Sequence, residues 1–68
     1  MQISTRDNGG VTVVDMEGSL DTSTSGETGD ELVRLVKDGN NKILLNLEKL
    51  DYVSSAGLRA ILVAAKLL

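Results

Sequence analysis

The chain contains no cysteine and no histidine, and Tyr52 is its only aromatic residue. Without thiolate and imidazole groups it has no disulfide staples, no Cys/His zinc set and no Ser–His nucleophilic pair. The patterns G-x-G-x-x-G, G-x-x-x-x-G-K-S/T and G-x-S-x-G are also missing. Their absence removes the signatures of dinucleotide binding, P-loop phosphate binding and the hydrolase nucleophile elbow. Residues 1–20 lack the basic start and apolar run of a signal peptide, and the longest apolar stretch is too short to span a bilayer. Basic residues are in the minority, seven Lys and Arg against ten Asp and Glu, for a net charge of −3 and a pI near 4.6. That balance opposes binding to a phosphate backbone. The expected protein is non-enzymatic and cytoplasmic, with no metal or cofactor and with neither nucleic acid nor membrane as partner.

What is present is a small aliphatic fold. The 68 residues are 41% hydrophobic and 25% charged, a globular composition in one domain spanning 1–68. Such short domains bury only about 60% of their unfolded surface. With disulfides and metals excluded, a partner subunit is the remaining staple, so a homo-oligomer is expected.

Asn8-Gly9-Gly10 suits the positive-φ positions of a hairpin turn between a weakly alternating first strand, 2–7, and a β-branched second strand from Val11 to about Gly18. The hydroxyl-rich stretch from Ser19 to Gly26 is expected as a loop leading to a helix cap. Leu32, Val33, Leu35 and Val36 repeat at helical spacing. Two capping boxes compete for that helix's start, Thr24 with Glu27 and Thr28 with Glu31. Gly39 is expected as its left-handed stop, and Asp38 is the one charge in the last turn that opposes the helix dipole. The near-continuous apolar run Lys42–Leu47 is expected as a central strand covered on both faces. A strand, helix and strand at this spacing form a crossover that makes the second and third strands parallel. After Ser54-Ser55-Ala56-Gly57 comes a helix through Leu68, apolar on nearly every side except at Arg59 and Lys66.

Parallel strands place their carboxyl ends on one edge, the usual position of ligands and modifying groups in open α/β sheets. The loop Leu20-Asp21-Thr22-Ser23 and the segment Tyr52–Gly57 meet there, which makes Asp21 and Ser55 expected neighbours. Ser54 and Ser55 admit two readings: a helix cap, or a phosphorylation site whose added charge the helix terminus tolerates. Gly57 either permits close packing or leaves the serine hydroxyl accessible. Asp21 reads more readily as a loop cap than as an acid or base. Arg59 is either a solvated charge or a contact for a phosphate or a carboxylate.

Three segments together resemble the STAS domain family and, within it, the bacterial anti-sigma factor antagonists: Met16-Glu17-Gly18-Ser19-Leu20-Asp21, Ile43–Leu50 and Tyr52–Leu62. The resemblance implies an STAS-like α/β fold, a mixed sheet with helices. Here it is reduced to strand, strand, helix, strand and helix, a domain incomplete at its C-terminal end. It implies that a kinase-type anti-sigma factor phosphorylates Ser55, that the unphosphorylated form binds this kinase and frees the sigma factor, and that a protein phosphatase reverses the modification. Gly57 and Leu58 match the family's Gly-Leu after the acceptor, and Asp21 matches the acidic residue of the docking loop. Ser54 stands where many antagonists carry Asp and is a competing acceptor. The partner-binding set is therefore expected to be Asp21, Thr22, Ser54, Gly57 and Arg59. A scaffold or small-ligand module without phosphorylation, or a fragment lacking full function, are the alternatives.

Overall fold

The computed structural model describes residues 1–68 as β1 (Gln2–Asn8), β2 (Val11–Leu20), α1 (Ser25–Lys37), β3 (Ile43–Val53) and α2 (Ser55–Ala65). Gly9 and Gly10 have φ values of 62° and 87°, which L side chains resist, and they turn β1 back antiparallel onto β2 with Asn8 opposite Val11. The expected hairpin and the parallel pairing of β2 with β3 are both present.

The end of α1 is built as the sequence indicated. Gly39 has φ 100°, its N–H donates to Val36 O at 3.1 Å, and the Asn40 N–H donates to Leu35 O at 3.2 Å. These paired bonds form a Schellman stop. Asp38, the opposing charge, sits 2.9 Å from an Arg34 guanidinium nitrogen. Thr12 Oγ1 donates to Asn40 Oδ1 at 2.8 Å and ties the start of β2 to this turn.

Other expectations require correction. Neither capping box forms. Thr24 is the N-cap of α1 but its side chain caps no amide there, because its hydroxyl is committed to the preceding loop. Thr28 lies inside the helix, buried, and donates to Thr24 O at 3.0 Å. The second strand runs on through Ser19 and Leu20, and the third through Val53.

The larger correction is to β3. The strand order is β1-β2-β3, so β2 is central and β3 lies at an edge. Ile43 and Leu45 alternate inward past Leu44, which is 58% exposed, and an extra β3 residue at the register shift between Asp15 and Glu17 of β2 then exposes Leu47 and turns Leu50 to the core. The core is Val14 and Met16 of β2 against Leu32 and Leu35 of α1 and Ala64 of α2. Gly29 lets α1 approach α2, since a Cβ there would lie 3.3 Å from Ala60 Cβ. No helix is long and apolar enough to cross a membrane.

The opposite pattern of β2 carries a polar clamp across all three strands. Arg6 of β1 donates to both carboxylate oxygens of Asp15, at 2.7 and 3.2 Å, and Asn46 Nδ2 of β3 donates to Asp15 Oδ1 at 2.7 Å. These bonds, Arg6 first and then Asn46, hold the Asp15 carboxyl down at about 2, below its ordinary 3.8. A depressed carboxyl contributes stability above its unfolded pKa, and that contribution is lost as pH falls through the folded value. Urea midpoints measured from pH 5 downward are therefore expected to drop toward pH 2, and Asp15→Asn is expected to flatten that acid limb. An unchanged limb contradicts the clamp.

Candidate functional site

The carboxyl ends of β2 and β3 meet as the topology requires. Two contacts with Leu20 fix the meeting. Ser54 N donates to Leu20 O at 2.8 Å, joining the last residue of β2 to the residue before α2. Leu20 itself is fully buried, and its side chain lies under Gly57. A Cβ on Gly57 would stand 2.6 Å from Leu20 Cγ and 2.8 Å from Leu20 O. Close packing is thus the physical requirement at Gly57, a buried residue with no surface of its own to offer a partner.

Asp21, the next residue after Leu20, caps its own loop. Its Oδ1 accepts from Ser23 Oγ at 2.7 Å, Ser23 N at 2.9 Å and Thr24 N at 3.2 Å. These donors, with the Ser23 hydroxyl foremost, hold the carboxyl below its ordinary range, so it stays charged. Thr24 Oγ1 completes the lock, accepting from Asp21 N at 3.0 Å and donating to Ser19 O at 2.9 Å. Ser23 and Thr24, which organise this carboxylate, are not among the expected site residues. Their position two and three residues after an Asp is the Asx-turn signal that carries that information. Thr22 is exposed at the loop tip.

Across the edge, the two serines have separate positions. Ser54 is the N-cap of α2, with φ −84° and ψ 170°, and its Oγ accepts from Gly57 N at 3.1 Å. Ser55 is the first helical residue and is exposed. Arg59 is exposed one turn further along α2, and Leu58 and Leu62 beside it are each about half exposed, at 52% and 51%. The surface therefore combines a fixed carboxylate, a ring of hydroxyls, one accessible serine at a helix terminus, a guanidinium and apolar side chains. It gathers no pair of groups suited to acid–base exchange.

The model of the STAS domain matches residues 2–68. The chain belongs to the STAS domain family. Over 57 residues it is 35% identical to BtrV of Bordetella bronchiseptica, which is named as an anti-sigma factor antagonist; the match covers 84% of this chain and 49% of that protein. The crystal structure of an anti-sigma factor antagonist from Mycobacterium paratuberculosis superposes with a TM-score of 0.88 at 22% identity, covering 96% of this chain and 56% of the other. SpoIIAA in its unphosphorylated form superposes at 0.78 and 19% identity, over 98% of this chain and 63% of the other. At those identities the two structures establish the shared fold. The STAS chain spans about half the length of the curated relative it matches.

The Leu20–Gly57 contact gives opposed effects at two glycines. Gly57→Ala is expected to destabilise the fold by about 1–3 kcal/mol, because overpacking against Leu20 outweighs the roughly 1 kcal/mol by which Ala is the better helix former. Gly26→Ala, also helical but facing open space, is expected to raise stability by some tenths of that. Urea midpoints that rank the two variants the other way contradict the packing role of Gly57.

Proposed function

We propose that this STAS chain acts as an anti-sigma factor antagonist, a non-enzymatic binding module controlled by phosphorylation. In its unphosphorylated form it binds a kinase-type anti-sigma factor through the edge formed by Asp21, Thr22, Ser54 and Arg59, with Gly57 packed beneath that edge, and the sigma factor is released. Phosphorylation of Ser55 by that kinase ends the interaction, and a phosphatase restores it. The observation that carries this reading is the pinning of the Asp21 loop against the start of α2 through Leu20, with Ser55 exposed on the resulting surface. The naming of BtrV as an anti-sigma factor antagonist supports the choice of partner.

Electrostatics supports a switch without rearrangement. Phosphorylation adds about −1.5 to −2 charges at pH 7. A surface already carrying the ionised Asp21 would then repel an acidic partner patch and lose one that depended on its hydroxyls. Ser54 makes the N-cap bond that an Asp would also make, which supports a turn-holding role for Ser54 and favours Ser55 as the acceptor. Ser54 in place of the family's frequent Asp is the feature that favours the second reading, a scaffold or small-ligand module that is never phosphorylated.

We further propose that the chain functions with other subunits against it, as a homo-oligomer within a cytoplasmic signalling pathway. The edge strand β3 exposes Leu44, Leu47 and Tyr52, and α2 exposes Leu62 and Val63. An apolar cleft of about 140 Å³ lies among Leu32, Ile43, Leu45, Ile61, Ala64 and Leu68. Uncovered strand edges and apolar patches of this kind favour association.

Incubation with the cognate kinase and ATP is expected to add one phosphate, and Ser55→Ala to abolish the incorporation. Undiminished labelling of Ser55→Ala overturns the acceptor assignment, and no labelling of the parent chain selects the scaffold reading. Ser55→Asp is expected to bind the kinase at least tenfold more weakly than the parent; equal affinity contradicts the switch. Sedimentation equilibrium at micromolar concentration is expected to give a dimer or larger, and a folded monomer rejects self-association.

A further inference from the structure

We propose that Arg59 is an intramolecular clamp for the phosphate carried by Ser55, an inference that rests on Ser55 being the modified residue. Ser55 and Arg59 lie four residues apart on α2, so their side chains rise from the same face with Cβ atoms about 5–6 Å apart. Both are exposed, and an anion four residues N-terminal to a cation is the favoured order for such a pair. A guanidinium presents paired N–H donors that match phosphate oxygens.

Arg59 is also available. Arg6 is bound to Asp15, and Arg34 to Glu31 and Asp38, whereas Arg59 belongs to none of the ion pairs of the fold. The helix terminus does not provide all the donors itself, because Ser54 Oγ already occupies the Gly57 amide. The ionisable side chains nearest the two strand ends and the start of α1 are acidic or neutral: Asp21 in the loop, Asp51 and Tyr52 near the end of β3, and Glu27 and Asp30 early in α1. The cations of these elements stand elsewhere: Lys49 opposite Glu17 further back along the sheet, Arg34 and Lys37 in the last turn of α1, Lys66 at the far end of α2, and the Met1 amine beside Gly18. Arg59 is thus the cation that stands one helical turn from Ser55, outside every ion pair, to balance the added charge.

The clamp gives phosphorylation a second consequence. Besides adding negative charge, the modification withdraws Arg59 from the surface, so a partner carboxylate that pairs with Arg59 loses its contact as well. One event both introduces a repulsive group and removes an attractive one.

The test uses the chain with phosphoserine installed at position 55 during synthesis, so that no kinase is needed, and reads the phosphate by ³¹P NMR across pH. A neighbouring cation favours the dianion and lowers the phosphate's second pKa. The Arg59→Gln variant is expected to titrate roughly 0.3–0.5 pH units above the parent at low salt, Arg59→Lys to fall between them, and 1 M salt to erase the differences. Identical midpoints for the parent and Arg59→Gln overturn the clamp. Loss of helical circular dichroism on installing the phosphate overturns it too, since a clamped phosphate is accommodated by α2. Either result leaves the acceptor assignment standing, because labelling of Ser55→Ala by the kinase tests that separately.

Discussion

The site depends on one buried leucine. Leu20 ends the central strand, offers its carbonyl to the Ser54 amide and fills the space that Gly57 leaves vacant. Backbone hydrogen bonding and packing thus converge on the same residue from the same neighbour. A hydrogen bond sheltered by a fully buried side chain is expensive to break, since opening it exposes both a polar pair and apolar surface. Asp21 follows Leu20 and Ser55 follows Ser54, so the two positions proposed to act in binding and phosphorylation inherit this constraint directly. Their relative placement is a property of the core and not of loop preferences.

The rest of the molecule arranges small interactions around that point. A core of aliphatic side chains in a chain of 68 residues supplies little net stability. The fold adds local locks where backbone ends would fray: the glycine hairpin, the Gly39 stop and the Asx turn at Asp21. Arg6, Asp15 and Asn46 align the three strands from the polar side. These devices fix the register of β2, and the register of β2 fixes where Leu20 ends. What they leave uncovered is β3's outer edge and much of α2. Leu44, Leu47 and Tyr52 of β3 and Leu62 and Val63 of α2 are the apolar side chains exposed there.

Features set by local chemistry were legible in the sequence. Asn8-Gly9-Gly10 and Gly39 demand positive φ, and both the hairpin and the helix stop follow at those positions. The crossover from Val11–Leu20 through α1 to Ile43–Val53 needs only the order of periodic segments. Features decided by competition were less accessible. Ile43-Leu44-Leu45 reads the same in a central strand and in an edge strand that turns only alternate residues inward. Thr24 and Thr28 have equal claims to a capping box until Ser19 O and Thr24 O are seen to accept from their hydroxyls. Meeting of the loops at Asp21 and Ser55 was inferable from topology, but its cause was not. Leu20 and Gly57 are separated by a helix and a strand, and no local pattern marks them as touching.

Amide hydrogen exchange at Ser54 is the most direct measure of whether the two loops form one unit. If Leu20 pins them as described, the Ser54 N–H exchanges as slowly as those of Val14 and Met16 in the centre of the sheet, and opens only with global unfolding. Exchange at the rate of the exposed Thr22 amide would show that the loops move independently, and would contradict a preformed docking surface.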